Sequence, residues 1–170
     1  RGLCRALQEQ LGVQGLKSVT VLNRYDADQI SQDVYDQAKS IVFSEPQVDT
    51  VYDETFPVPG HPHSILAVEA LPGQFDQRAD SCAQCIQLMA GVERPLIAYA
   101  KVYVLQGQLS QEELDNIRHY LINPVESREA AMDKPATLEQ AHEAPDHVAV
   151  LEGFTALDEG GLSDLLSQLG

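Results

Sequence analysis

The feature that most restricts how this chain can fold is an internal repeat. Gly12-Val13 recurs as Gly91-Val92, the run Val19 to Leu22 as Val102 to Leu105, and Ile41-Val42-Phe43 as Tyr120-Leu121-Ile122. In each half the order is helix, glycine, strand, turn, helix with a triple apolar run, and proline, which predicts two copies of one supersecondary unit. Strands alternating with helices in the order βαββαβ make an α+β sandwich of the ferredoxin-like type, with helices over one face of an antiparallel sheet. The expectation is therefore a tandem of ferredoxin-like units forming a pseudo-dimer, the first unit lacking its first strand. That strand would be central, and its neighbour would keep unpaired N–H and C=O groups unless something covered them.

Local patterns support these elements. Leu3, Ala6, Leu7 and Leu11 fall at helical spacing before Gly12, and Lys17 to Leu22 alternates as a half-buried strand should. Asn23 to Asp28 is polar and reads as a turn or a short strand. Ser31 can cap a helix bearing Val34, Ala38, Ile41 and Val42, stopped near Pro46, and Val48 to Phe56 reads as a weak strand. Pro57 to Pro62 is the best internal boundary. Beyond it come a strand from Ser64 to Leu71, a Pro72-Gly73 turn, and a helical stripe of Ala79, Cys82, Ala83, Ile86, Met89 and Ala90. A strand from Leu96 to Leu105 and a helix carrying Leu114, Ile117 and Leu121 follow, with Ser110 and Glu113 as its capping box. The divisions expected are 1–57, a truncated first half, 63–133, a second half, and 134–170, a partly helical linker and the start of a further domain. That last stretch holds Pro135, Pro145 and two lone histidines, His142 and His147. Phe154, Leu157, Leu162, Leu165, Leu166 and Leu169 then form an amphipathic pattern. Arg1 is not an initiator residue and both ends interrupt apolar helical patterns, so a fragment of a larger protein is expected.

Charge excludes some partners. Twenty-six Asp and Glu against 11 Lys and Arg leave a formal net charge of -15 over 170 residues. With no run of Lys and Arg, such a surface repels nucleic acid and anionic membranes, and no apolar stretch approaches the roughly 20 residues of a spanning helix. Three cysteines in a chain of ordinary core size suit a reducing compartment, so the cytoplasm is expected.

Cys82-x-x-Cys85, with His61 and His63 upstream, has the spacing of a zinc or redox site. No second Cys-x-x-Cys exists, Cys82 lies on an apolar helical stripe, and the histidines flank a proline in a connector, so packing is the stronger reading. There is no phosphate-binding glycine loop and no nucleophile elbow. The segment with most promise is the polar loop Leu71 to Ser81. In the plain reading Pro72-Gly73 makes the turn, Asp76 or Asp80 caps the helix, and Arg78 pairs with an acid. In the functional reading Gln74, Asp76, Gln77 and Arg78 face another domain or a ligand.

Val68-Glu69-Ala70-Leu71-Pro72-Gly73-Gln74-Phe75-Asp76-Gln77-Arg78-Ala79 resembles the N-terminal region of the large, single-chain phosphoribosylformylglycinamidine synthases. Val21 to Asp26, Ile41 to Glu45 and Tyr120 to Arg128 resemble the same family, and the likeness runs from about residue 10 to residue 130. The resemblance implies a parent ligase of purine biosynthesis that uses ATP, Mg²⁺ and ammonia released from glutamine. Its N-terminal domain is a fused dimer of ferredoxin-like units, followed by synthetase and glutaminase portions that would be its partners. No catalytic residue, metal ligand or cofactor is then expected in these residues. Their task would be to hold the other portions in register through Gln74, Asp76, Gln77 and Arg78, with Arg78 the cation most expected at an interface. The alternative from another class is a tandem ferredoxin-like regulatory module that senses a small molecule between paired sheets.

Overall fold

The computed structural model describes residues 2–139, 151 and 153–169. Residues 1–139 form one compact unit and 140–170 a second. In chain order the first unit contains α1 (Gly2–Leu11), β1 (Leu16–Asp28), α2 (Gln32–Ile41), β2 (His63–Ala70), α3 (Gln77–Ala90), β3 (Leu96–Gly107), α4 (Gln111–Leu121) and β4 (Ser127–Glu129). The class is α+β: one four-stranded antiparallel sheet in the order β1-β3-β2-β4.

Each helix begins and ends for a local reason. Ser31 accepts a hydrogen bond from Val34 N at the start of α2, and Ser110 forms a complete capping box with Glu113 at the start of α4. Gly12 after α1 and Gly91 after α3 take left-handed backbone angles, φ 70° and 64°, which release the chain from the helix without a Cβ penalty. The repeat is thus written into the backbone. Leu7 and Ile86, Gly12 and Gly91, Ser31 and Ser110, and Ala38 and Ile117 are all separated by one constant interval. The turns after α2 and α4 match bond for bond. Glu45 N–H donates to Asp49 Oδ2 at 2.9 Å, and the Val48 and Asp49 amides return to Glu45 O. Asn123 N–H likewise donates to Ser127 Oγ at 3.0 Å, and the Glu126 and Ser127 amides return to Asn123 O.

The halves meet in the sheet. β1 pairs along its length with β3, from Ser18↔Gln106 to Asp28↔Leu96, so Asn23 to Asp28 continues a strand and is not a turn. Side chains of β1 and β3 that oppose each other share a face. Val19, Leu105 and Tyr103 pack with Leu7 of α1, Ile117 of α4 and Leu66 of β2, burying the largest core cluster. On the same face Tyr25 packs at a tilt against Phe43 beyond α2 and meets Arg78 of α3. The helices contact in two pairs, α1 with α4 and α2 with α3. The other face carries small residues, with Ala67, Ala100 and Val102 under Phe56 and Ala130. Arg24, ion-paired to Asp26 at 2.8 Å, anchors that cover by donating to Ala131 O at 2.6 Å. Asp28 holds the next stretch through Thr137 Oγ1 and Leu138 N.

Two expectations need correction. Val19 to Leu22 does not correspond to Val102 to Leu105: Val19 and Val21 lie on the helix-covered face, whereas Val102 and Val104 lie on the other. Because side chains alternate along a strand, a match out of step by an odd number of residues puts its positions on opposite faces, and β1 carries a register irregularity between Leu16 and Ser18. Val48 to Phe56 forms no strand. Its counterpart after α4 becomes β4 by pairing with β2, but among the described residues the outer edge of β1 carries no strand, so this stretch has no ladder to join. It is tied instead to α2, where Tyr35 Oη and Lys39 Nζ both donate to the Asp53 carboxylate.

The second unit contains a 3-10 turn, Phe154–Ala156, and α5, Glu159–Leu169, with Leu157, Leu162 and Leu166 exposed. Pro145, His142 and His147 lie outside the described residues. No helix among the described residues is long and apolar enough to cross a membrane.

Ile117→Ala, at a fully buried site between α4 and the sheet, is expected to cost about 2–5 kcal/mol in urea unfolding. Gly12→Ala should cost about 1–2 kcal/mol, the left-handed penalty alone, since open space surrounds it. Gly107→Ala should cost more, because its Cβ would collide with the Gly15 backbone where β1 and β3 meet. Equal losses at the two glycines would contradict this packing.

Candidate functional site

The loop from β2 to α3 is fastened at both ends. Leu71 N–H donates to Glu126 O at 2.9 Å, extending the line of the sheet, and Gly73 turns the chain at φ 84°. The Gln74 amide returns to Leu71 O at 3.0 Å, and its side-chain Nε2 donates to Val125 O at 3.3 Å, joining this loop to the α4–β4 turn. Asp76 is the helix cap: Oδ1 accepts from Arg78 N and Ala79 N, both at 3.0 Å. Its charge is thereby committed to two orphan amides and to the positive end of α3. Asp80 is also committed, through an ion pair with Arg94. Between these fixed points Phe75 is 75% exposed, and Val125 on the α4–β4 turn is 72% exposed.

Among the described residues Arg78 pairs with no carboxylate. Its Nη1 donates to Tyr25 Oη at 3.1 Å, and its guanidinium lies 5.1 Å from the centroid of the Tyr99 ring. Tyr25 and Tyr99 are opposed in the β1–β3 register, with ring centroids 5.3 Å apart, and the Phe43 ring packs against Tyr25 at a tilt, centroids 5.2 Å apart. Tyr99 Oη donates to Asn23 Oδ1 at 2.7 Å. Burial pushes the Tyr25 phenol above its usual range, partly opposed by the Arg78 hydrogen bond, and burial does the same to Tyr99. The hydrogen bond to Tyr25 holds Arg78 further toward its charged form. Burial also raises the Cys82 thiol, with Cys85 adding to the effect and Arg78 opposing it, so Cys82 stays protonated and is a poor nucleophile.

The four residues singled out by sequence thus have different tasks. Gln74 and Asp76 shape the loop, Gln77 is exposed, and only Arg78 enters a cluster of functional groups. Tyr25, Tyr99 and Asn23 were missed as members of that cluster. The alternation of Tyr99 with Tyr103 was a usable signal, but only the register shows that Tyr25 faces Tyr99. Cys82 is buried in α3 while Cys85 is exposed, and His61 stacks on His63 with centroids 4.4 Å apart. Among the described residues no three His, Cys, Asp or Glu side chains are grouped as a metal ion would need. Comparison with protein-family models, with curated proteins and with solved structures finds no match.

Asp76→Ala should lower stability by about 1 kcal/mol through loss of the cap, and Arg78→Ala by less, because that side chain is exposed. Tyr35 is pushed up to about 12 by burial and by Asp53. A raised phenol contributes stability that is complete below the unfolded value of 10.0 and is lost as pH rises toward 12. Tyr35→Phe should flatten the alkaline limb of a stability–pH curve, and an unchanged limb would count against the Tyr35–Asp53 contact.

Proposed function

We propose that residues 1–139 are the N-terminal scaffold of a large phosphoribosylformylglycinamidine synthase, a cytoplasmic ATP-dependent ligase that takes its nitrogen from glutamine. In this reading the two halves are ferredoxin-like units joined edge to edge through β1 and β3. Their partners are the synthetase and glutaminase portions of the same enzyme. The parent reaction would activate a substrate amide oxygen with the γ-phosphate of ATP and let ammonia displace it. ATP and Mg²⁺ would be held by the synthetase portion, which suits a chain whose own charge is -15.

The observation that carries the reading is the construction of the Leu71 to Arg78 loop, where the likeness to that family is most specific. A phenyl ring left 75% exposed on a segment pinned by a sheet bond, an inter-loop amide and a helix cap has the form of an interaction point. Ammonia has to pass between sites without escaping, so small errors in docking are costly, and a rigid loop limits them. The alternative, a sensor with a ligand seat between paired sheets, lacks that seat among the described residues, which form one sheet.

In the intact synthase Phe75→Ser and Arg78→Ala are expected to lower glutamine-dependent turnover about ten-fold or more while the melting temperature stays within a few degrees. Full activity in both variants defeats the proposal. Asp76→Ala is a weaker probe, since its cap function mixes stability with docking.

A further inference from the structure

The two helix pairs leave a strip of the sheet uncovered between them. On β1 and β3 that strip consists of Val21, 46% exposed, Asn23 and Lys101, with Tyr99 at its border. Asn23 and Lys101 are opposed in the register and therefore share the face that the helices pack against. Tyr99 lies two residues from Lys101 on that face, about 7 Å along the strand, and carries Arg78 over its ring.

Charge makes this strip unusual. Arg5, Arg24, Lys39, Arg94, Arg118, Arg128 and Lys134 all lie within ion-pair distance of a carboxylate. Among the described residues only Lys17, Arg78 and Lys101 do not, in a chain where acids outnumber bases more than two to one. Two of these three border the same strip. Arg78 is oriented by Tyr25 and Tyr99, yet among its hydrogen bonds to described residues only Nη1 is engaged, leaving the rest of the fork uncommitted. Tyr99 donates to Asn23 Oδ1, which leaves the Asn23 amide N–H₂ as a further donor. Asp76 and Asp80, the acids closest in sequence to Arg78, are engaged by two helix amides and by Arg94 respectively.

We propose that the strip between the helix pairs is an anion site, in which Arg78, Lys101 and Asn23 bind a phosphate or phosphate-ester group against the Tyr99 ring. The planar fork of Arg78 can take two phosphate oxygens at once, Lys101 supplies a point charge, and Asn23 donates from the sheet floor. The site shares Arg78 with the loop carrying Phe75, but Lys101 and Asn23 belong to β3 and β1, so Lys101→Met tests it apart from the synthase reading.

The test is titration of this chain with inorganic phosphate and pyrophosphate at constant ionic strength, followed by calorimetry and by backbone amide shifts. Saturable binding is expected, with the largest shifts at Asn23, Arg78, Tyr99 and Lys101. Lys101→Met and Arg78→Gln, both at exposed positions, should each weaken it about ten-fold, the loss of one charge-assisted contact. Lys17→Gln should leave it unchanged. Acetate and succinate form the second arm. No saturable phosphate binding, equal loss in Lys17→Gln, or preference for the carboxylates would overturn the proposal. Loss of binding in Lys101→Met with normal melting would support it.

Discussion

The hydrogen-bonded ladder between β1 and β3 is the interaction on which the remaining structure depends. It joins segments some 80 residues apart and brings the two halves of a repeated sequence into one sheet. Because side chains alternate along each strand, the ladder decides at once which residues meet the helices and which meet the small-residue face. A slip of β1 by one position would turn Tyr25 and Asn23 away from the helices and leave Arg78 without its phenol. The close approach of Gly15 and Gly107, which no side chain could occupy, helps to hold that register at one end.

From this junction the two helix pairs follow. α1 with α4 covers the aliphatic end of the sheet, where Leu7, Leu105 and Ile117 are fully or nearly fully buried, and α2 with α3 covers the end built from Tyr25, Phe43 and Tyr99. One end has filled its core with leucine and isoleucine. The other has used aromatic rings with polar tips, which can bury their bodies and still orient a guanidinium. A common backbone plan therefore supports a purely packed end and an end with functional groups.

Asp76 shows how a residue that looks chemical can be structural. Its carboxylate satisfies two amides that the helix leaves open, and its negative charge faces the positive end of α3, so little of it remains for a ligand. Phe75, one position earlier, buries little and caps nothing, which makes its exposure the more informative feature. Much of this loop was legible beforehand, because a proline-glycine turn and an aspartate before a helical stripe act through neighbours a few residues away. Arg78 was legible as a candidate but not in its environment, since its partners lie on β1 and β3.

The sequence by itself determined the local elements: the helices with their serine, aspartate and glycine ends, the alternating strands, and the capping box at Ser110 and Glu113. Each of these depends on interactions within a turn or two of chain. The tertiary structure decided the rest. Pairing set which residues of β1 and β3 share a face, withheld a strand from Val48 to Phe56, and placed Tyr25 beside Tyr99. Those outcomes depend on hydrogen bonds between residues far apart in the chain, and a strand's own pattern cannot say which partner, or which edge, it will find.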